Sequence, residues 1–219
     1  MDANSARVSR RGWGGWLAMA VALVLVGTLA LTVAQQPPSL LDLSVTRALQ
    51  RISLPGFTTL MAWISVPGNN PLATVLAVVI SLLLGVLIGW RSGLFTLLAA
   101  FVENELNTLL KVWVARPRPT ADLVEVRTVA EGLSFPSGHV MFYTVFFGLI
   151  AWILWRHQRA GWRWPLIALC LALIALVGPS RITLGAHWFS DVVAAYLLSG
   201  ALLYAAILLY ERFLPTQSR

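Results

Sequence analysis

Apolar runs long enough to cross a bilayer alternate along this chain with short polar loops. They predict six helical spans, at about residues 13–34, 71–90, 93–113, 137–155, 164–177 and 188–209. A hydrocarbon core about 30 Å thick needs about 20 helical residues at 1.5 Å of rise each. The fifth run is short and is expected to extend toward Arg181. Tryptophans at several span ends suit the interfacial belt. The first run is preceded by Arg7, Arg10 and Arg11, and Thr32-Val33-Ala34 resembles a signal cleavage site. Its apolar stretch exceeds a usual signal core, so it reads as a retained anchor.

Residues 40–54 follow a different rule. Leu41, Val45, Ala48, Leu49 and Ile52 share one helical face, while Asp42, Arg47, Gln50 and Arg51 lie mostly elsewhere. That pattern predicts an amphipathic helix at the membrane interface. Residues 55–66 are too few to span alone and read as interfacial or re-entrant. The fold class is therefore all-α, a polytopic membrane helix bundle of six spans plus an interfacial helix. Residues 1–219 form a single domain with no repeat.

Composition agrees. The chain is 58% hydrophobic and 11% charged, about half the charge of an ordinary soluble domain. Its net charge of +7 could suggest nucleic acid. The cations fall in short loops between spans, however, where positive-inside bias puts them, and nucleic-acid binding is excluded on that ground. Arg91 and the loop 156–163, with Arg156, Arg159 and Arg163, fall on one membrane face. That face is expected to be cytoplasmic in a bacterial inner membrane. The lone Cys170 excludes an internal disulfide and reads as a small core residue.

Eleven residues in three clusters interrupt the apolar pattern. They are Lys111, Arg118 and Pro119; Pro136, Ser137, Gly138 and His139; and Ser180, Arg181, His187 and Asp191. Alternating helix direction puts all three clusters on one face, opposite the 156–163 loop, hence the periplasmic face. His187 and Asp191 are four apart and share a helix face, where a carboxylate can fix an imidazole tautomer and leave the other nitrogen free. By itself the pair is more simply a satisfied helix cap. Ser137 suits a helix N-cap and Gly138 allows close backbone approach to an anion, with His139 beside it as a proton donor. An ordinary capped helix start with an interfacial histidine has the same pattern. Lys111, the only lysine, and Arg118 could together neutralise a phosphate dianion, with Arg181 as a third cation. Snorkelling at the membrane boundary is the plainer reading of such cations, and it is the one adopted for Arg116 and Arg127.

Jointly, the spacings Lys-x6-Arg-Pro, Pro-Ser-Gly-His and Ser-Arg-x5-His-x3-Asp resemble the type-2 phosphatidic acid phosphatase family, whose site is shared with vanadium haloperoxidases. All three motifs match in order between Lys111 and Asp191, and the span layout resembles the membrane lipid phosphatase branch. The resemblance implies that His187 is the nucleophile, that Asp191 orients it, and that His139 is the general acid. Lys111, Arg118 and Arg181, with Ser137 and the Gly138 amide, would hold the phosphate oxygens. It implies neither metal nor cofactor, and no metal-ligand spacing is visible in the sequence. The implied partner is a lipid phosphate: undecaprenyl pyrophosphate first, because the site faces the side where that carrier is recycled, then phosphatidylglycerophosphate or phosphatidic acid. A lipid-dependent phosphotransferase could use the same phosphohistidine. A lipid-phosphate binding or transport protein would not need the two histidines, and a haloperoxidase would need vanadate.

Glu103, Asn104, Glu105, Asn107 and Thr108 lie within the third span. Such polarity is expected to face the bundle interior, as interhelical hydrogen bonding or, less simply, as a polar path below the phosphate.

Overall fold

The computed structural model describes residues 3–34, 36–158 and 160–214, with side chains from residue 13 onward. All regular structure among them is helical. The long helix α1 (Ala3–Val33) leads into α2 (Leu40–Gln50) and α3 (Phe57–Ser65). The hairpin of α4 (Leu72–Leu87) and α5 (Trp90–Val114) follows. After a loop, α6 (Gly138–Phe142), a π-helical turn (Tyr143–Phe147) and α7 (Gly148–His157) run on as one rod of 20 residues. The chain ends in α8 (Arg163–Thr183) and α9 (Phe189–Phe213). Arg159 lies outside the described residues, as do the side chains of Arg7, Arg10 and Arg11.

Among the described residues four helical stretches are long and apolar enough to cross a membrane: Trp13–Val33, Gly138–His157, Arg163–Thr183 and Phe189–Phe213. A fifth arises if α3 and α4, bent by 63° at their junction, count as one broken span. This is fewer than the six expected. α4 has only 16 residues, and α5 carries Arg91, Glu103, Glu105 and Lys111 along its length. The expected extension of the fifth run is present, since α8 continues through Arg181 to Thr183.

The central rod is the core. Val140, Met141, Tyr143, Leu149 and Ile153 are fully buried, and α5, α8 and α9 pack around them. Outward-facing leucines, valines and tryptophans on α1, α4, α5 and α8 remain exposed, as a lipid-facing surface requires. Small residues allow the closest crossings. At Gly93 a Cβ would lie 2.3 Å from the Ser81 carbonyl, so α4 and α5 meet there at backbone contact. The third histidine, His157, closes the other end of the bundle. Its Nε2 shares a 3.0 Å hydrogen bond with Tyr210, which bonds Ser92 at 2.6 Å.

The expected helix at residues 40–54 is present as α2, and it turns its polar side to the protein. α2 is amphipathic and capped by a Ser39–Asp42 capping box. Its polar stripe of Asp42, Thr46 and Gln50 is buried in the protein, while Leu40 and Leu41 are exposed. Gln50 ties α2 to the loop after α5 and to the end of α8 by donating to the Glu125 and Thr183 carbonyls. In a membrane there is little hydrophobic drive between helix and bundle, so the apolar face is free to turn outward and polar contacts decide the inner face.

Candidate functional site

The three clusters, 80 residues apart from first to last in sequence, converge on one cavity of about 830 Å³. Lys111, Arg118, Gly138, His139, Arg181 and His187 all line it. It continues between α4 and α5, past Ala77, Val78, Leu97 and Phe101.

Each cation is held by a different element. Lys111, in the last turn of α5, donates from Nζ to the Leu133 carbonyl at 2.7 Å. Pro117 and Pro119 bracket Arg118 and forbid helix there. The Arg118 guanidinium is splayed across the Glu131, Gly132 and Ala186 carbonyls at 2.8–3.1 Å. Arg181, near the C-terminal end of α8, is 4% exposed and donates to the Ser65 hydroxyl, while its Nε has no partner among the described residues. Carbonyl and hydroxyl acceptors leave these three charges unneutralised, so the cavity is strongly electropositive.

His187 sits in the turn between α8 and α9 and is 2% exposed. Gly185 makes that turn possible. Its φ of +67° suits glycine, and a Cβ would fall 2.1 Å from the Glu125 carbonyl. Arg118 Nη1 donates to His187 Nε2 at 3.1 Å. A guanidinium can only donate, so Nε2 bears the lone pair and the ring proton belongs on Nδ1. Burial, then Arg118, Lys111 and Arg181, push the imidazole well below its ordinary range. His187 is thus neutral at pH 7, with its lone pair facing the cations.

Asp191, fully buried in the first turn of α9, does not bond the imidazole directly. The Nδ1–Oδ2 distance is 3.7 Å. Oδ2 instead accepts from Ser134 Oγ at 2.5 Å and from the Trp188 amide at 2.9 Å, and Ser134 Oγ stands 3.4 Å from Nδ1. The expected direct hydrogen bond is replaced by a 3.7 Å separation and an intervening serine, because Asp191 Oδ2 is taken up by Ser134 and by the Trp188 amide that it caps.

Ser137 is the N-cap residue of α6, yet its hydroxyl makes no cap bond. That Oγ is fully buried and without a partner among the described residues, a costly state unless a ligand supplies one. Asn107, from α5, holds this helix start by donating to the Pro136 carbonyl at 3.2 Å. A Cβ on Gly138 would lie 3.0 Å from the Asn107 side-chain oxygen. His139 shares a 2.9 Å hydrogen bond with Asn69 Oδ1, and Gly68 lies so close to the imidazole that a Cβ there would collide with it. Of the mid-span polar residues of α5, Glu103 and Asn107 are buried while Asn104, Glu105 and Thr108 are exposed. Glu103, Asn104, Asn107 and Thr108 all line the cavity, so four of the five face it, as the polar-path alternative expects, and Glu105 does not. Among the described residues no three His, Cys, Asp or Glu side chains converge as a metal ligand set.

The snorkelling expected of Arg116 is wrong. Arg116 is 1% exposed and bridges Asp42, at 2.8 Å, to Asp191. Arg127 is also tied down, donating to Thr58 at 3.2 Å and to the Gln50 carbonyl at 3.1 Å, beside Glu125. Asn69, Ser65, Ser134, Arg116 and Asp42 escaped sequence reading. Only the repeated dipeptide Arg116-Pro117-Arg118-Pro119 and the polar stripe of α2 could have signalled the last two.

A family model described as the PAP2 superfamily matches residues 89–214. The chain is 36% identical over 115 residues to phosphatidylglycerophosphatase B of Bacillus subtilis, covering 51% of this chain and 54% of that one. Against the protein of the same name in Escherichia coli it is 40% identical over 81 residues, 37% of this chain and 30% of the relative. Thus the matches span about half or less of these relatives. Lipid A 1-diphosphate synthase of Escherichia coli is 33% identical over 113 residues, 46% of this chain and 43% of that one. Among solved structures, a transmembrane PAP2-type phosphatidylglycerolphosphate phosphatase from Bacillus subtilis superposes with a TM-score of 0.79 at 24% identity, covering 91% of this chain and 98% of that one. LpxE of Aquifex aeolicus gives 0.61 at 21% identity, over 80% and 98%. At such identities these two likenesses speak for the fold.

Proposed function

The chain belongs to the PAP2 superfamily, and on that footing we propose that it is a bacterial inner-membrane lipid phosphatase working through a phosphohistidine. The observation that carries this reading is His187 Nε2, a neutral lone pair 3.1 Å from Arg118 in a cavity with two further cations. In the proposed cycle a terminal lipid phosphate replaces the carbonyls and hydroxyl that hold Lys111, Arg118 and Arg181. Its oxygens also take up the Ser137 hydroxyl and the Gly138 amide. His187 Nε2 attacks phosphorus, the lipid oxygen–phosphorus bond breaks, and His139 gives its proton to the departing oxygen. Water, deprotonated by His139, then attacks the phosphohistidine and releases phosphate. Three cations balance the charge of the five-coordinate transition state. Asp191 stabilises the imidazolium formed on the way. No step needs a metal.

The cavity supports a lipid substrate, because its polar end meets the phosphate while apolar residues of α4 and α5 can accompany a tail into hydrocarbon. We read α5 as a span despite its charges, and α4 as another, giving six in a single catalytic domain. Arg91, Arg156 and Arg163 lie at the end opposite the site and favour a cytoplasmic face there, leaving the site periplasmic. Phosphatidylglycerophosphate leads the substrate panel because two relatives are named for it; undecaprenyl pyrophosphate and phosphatidic acid follow. Transfer of phosphate to a lipid acceptor is a second reading, favoured by the relative named lipid A 1-diphosphate synthase.

The test is phosphate release by purified protein in detergent across that panel. His187→Ala should abolish release from every accepted lipid, and EDTA should leave the wild type active. Normal turnover by H187A would overturn the mechanism. Label passing to a lipid rather than to water would favour the second reading.

A further inference from the structure

Behind His187 a buried charge chain runs on from Asp191, and two of its members, Asp42 and Arg116, have no part in the phosphohistidine cycle. Asp42 on α2, Arg116 in the loop after α5 and Asp191 on α9 are each no more than 1% exposed. Arg116 Nη2 donates to Asp42 Oδ2 at 2.8 Å, and Nη1 donates to Asp191 and to Ser190 Oγ. Asp42 Oδ1 accepts from the Ser190 amide at 2.8 Å and its hydroxyl at 2.7 Å. Two carboxylates share one guanidinium, so the ionised unit carries a net charge of −1. Asp42 stays ionised: burial opposes this, but the Ser190 amide and hydroxyl and Arg116 outweigh it and hold its carboxyl below the usual range. Burying such a unit is rarely worth its desolvation for stability alone.

We propose that Asp42 and Arg116 are positioning residues for the reaction, acting through Asp191 to set the negative potential behind His187. This rests on His187 being the nucleophile. A neutral imidazole that takes a phosphoryl group on Nε2 while keeping Nδ1–H becomes a cation. The cations in front of it are Lys111 from α5, Arg118 from the loop and Arg181 from α8, with His139 of α6 across the cavity. All suit the phosphate and oppose an imidazolium. Ser134 is uncharged and Glu103 and Glu131 line the cavity in front, so among the described residues the carboxylate within 4 Å of the ring is Asp191, already bonded by Arg116. Alone, Arg116 would cancel it. Asp42 draws on the same guanidinium and restores the excess. The membrane-surface helix α2 thereby contributes an electrostatic term to chemistry performed on the other side of Arg116.

Charge coupling predicts opposite effects from opposite deletions. With three histidines in the chain, full-length protein carrying labelled histidine reports His187 directly by NMR in detergent, with H139Q and H157Q assigning the other two. Asp42→Asn should lower the His187 titration midpoint, and Arg116→Gln should raise it, each by about half a unit or more. Arg116→Lys, which keeps the charge, should leave it near wild type. D42N should also cut kcat about tenfold with little change in KM, because only the state with a cationic ring is affected. Midpoints that do not move, or that move the same way in D42N and R116Q, would overturn the proposal. Should R116Q not fold, D42N against R116K decides it. A fully active H187A would instead remove the mechanism beneath the proposal, a distinguishable failure.

Discussion

Gly68 has a negative φ and could accept an alanine as far as its own backbone is concerned. Its neighbour forbids one. A Cβ there would lie 2.4 Å from His139 Cδ2, 2.9 Å from Cγ and 3.0 Å from Nε2. Ordinary contact begins near 3.4 Å, so the imidazole must retreat by roughly 1 Å. His139 is bonded at 2.9 Å to Asn69, the residue next to Gly68, and a retreat of that size from this segment breaks the bond. If His139 is the proton donor, misplacement by about 1 Å costs on the order of 100-fold, or about 2.7 kcal/mol of barrier. The assay is single-turnover phosphate release by Gly68→Ala, with Gly200→Ala as control because nothing lies within 4 Å of a Cβ there. The melting temperature should change little, since the site is partly open to solvent. A Gly68→Ala enzyme with wild-type turnover would refute the assignment of His139 to the chemistry.

Ser137→Ala should separate function from stability: removing a buried hydroxyl without a partner should leave the melting temperature equal or higher, while loss of a hydrogen bond to charged phosphate should cut kcat/KM about 10- to 100-fold. Stability should also depend on pH through His187. Its folded-state pKa lies well below the ordinary 6.5, so the unfolded chain takes up a proton first as pH falls. The stabilisation from the neutral ring is therefore complete above about pH 6.5 and lost progressively below it, down to the folded-state value. A melting-temperature profile that is flat from pH 7.5 down to 5.5, or that His187→Asn leaves unchanged, would contradict that sign.

The spans and the three clusters were legible because both are local. Apolar length marks α1, the central rod, α8 and α9 without reference to anything distant. Lys111 with Arg118, and His187 with Asp191, declare themselves by spacing along one helix end or one loop. Arg116 shows the limit. Two residues before Arg118 and followed by Pro117, it is indistinguishable in sequence from a snorkelling cation, since its partners Asp42 and Asp191 are 74 and 75 residues away. Residues 55–66 were the least readable segment. They became α3, whose Ser65 holds Arg181, whose Met61 carbonyl accepts from Ser180 at 2.7 Å, and whose Ile64 carbonyl accepts from Tyr143 at 2.6 Å.

What the sequence determined by itself is which residues are too polar for a membrane chain and on which end of which helix they lie. Helical period and bilayer thickness are short-range constraints, and they require no partner. What only the tertiary structure decided is how the charges are shared: Arg116 inside rather than at the surface, α2 with its polar face turned to the protein, and Ser134 standing between Asp191 and His187. In a bilayer the hydrophobic effect places a helix but does not choose the face it shows its neighbours. That choice rests on hydrogen bonds and ion pairs between segments far apart in the chain, which exist only once the bundle has closed.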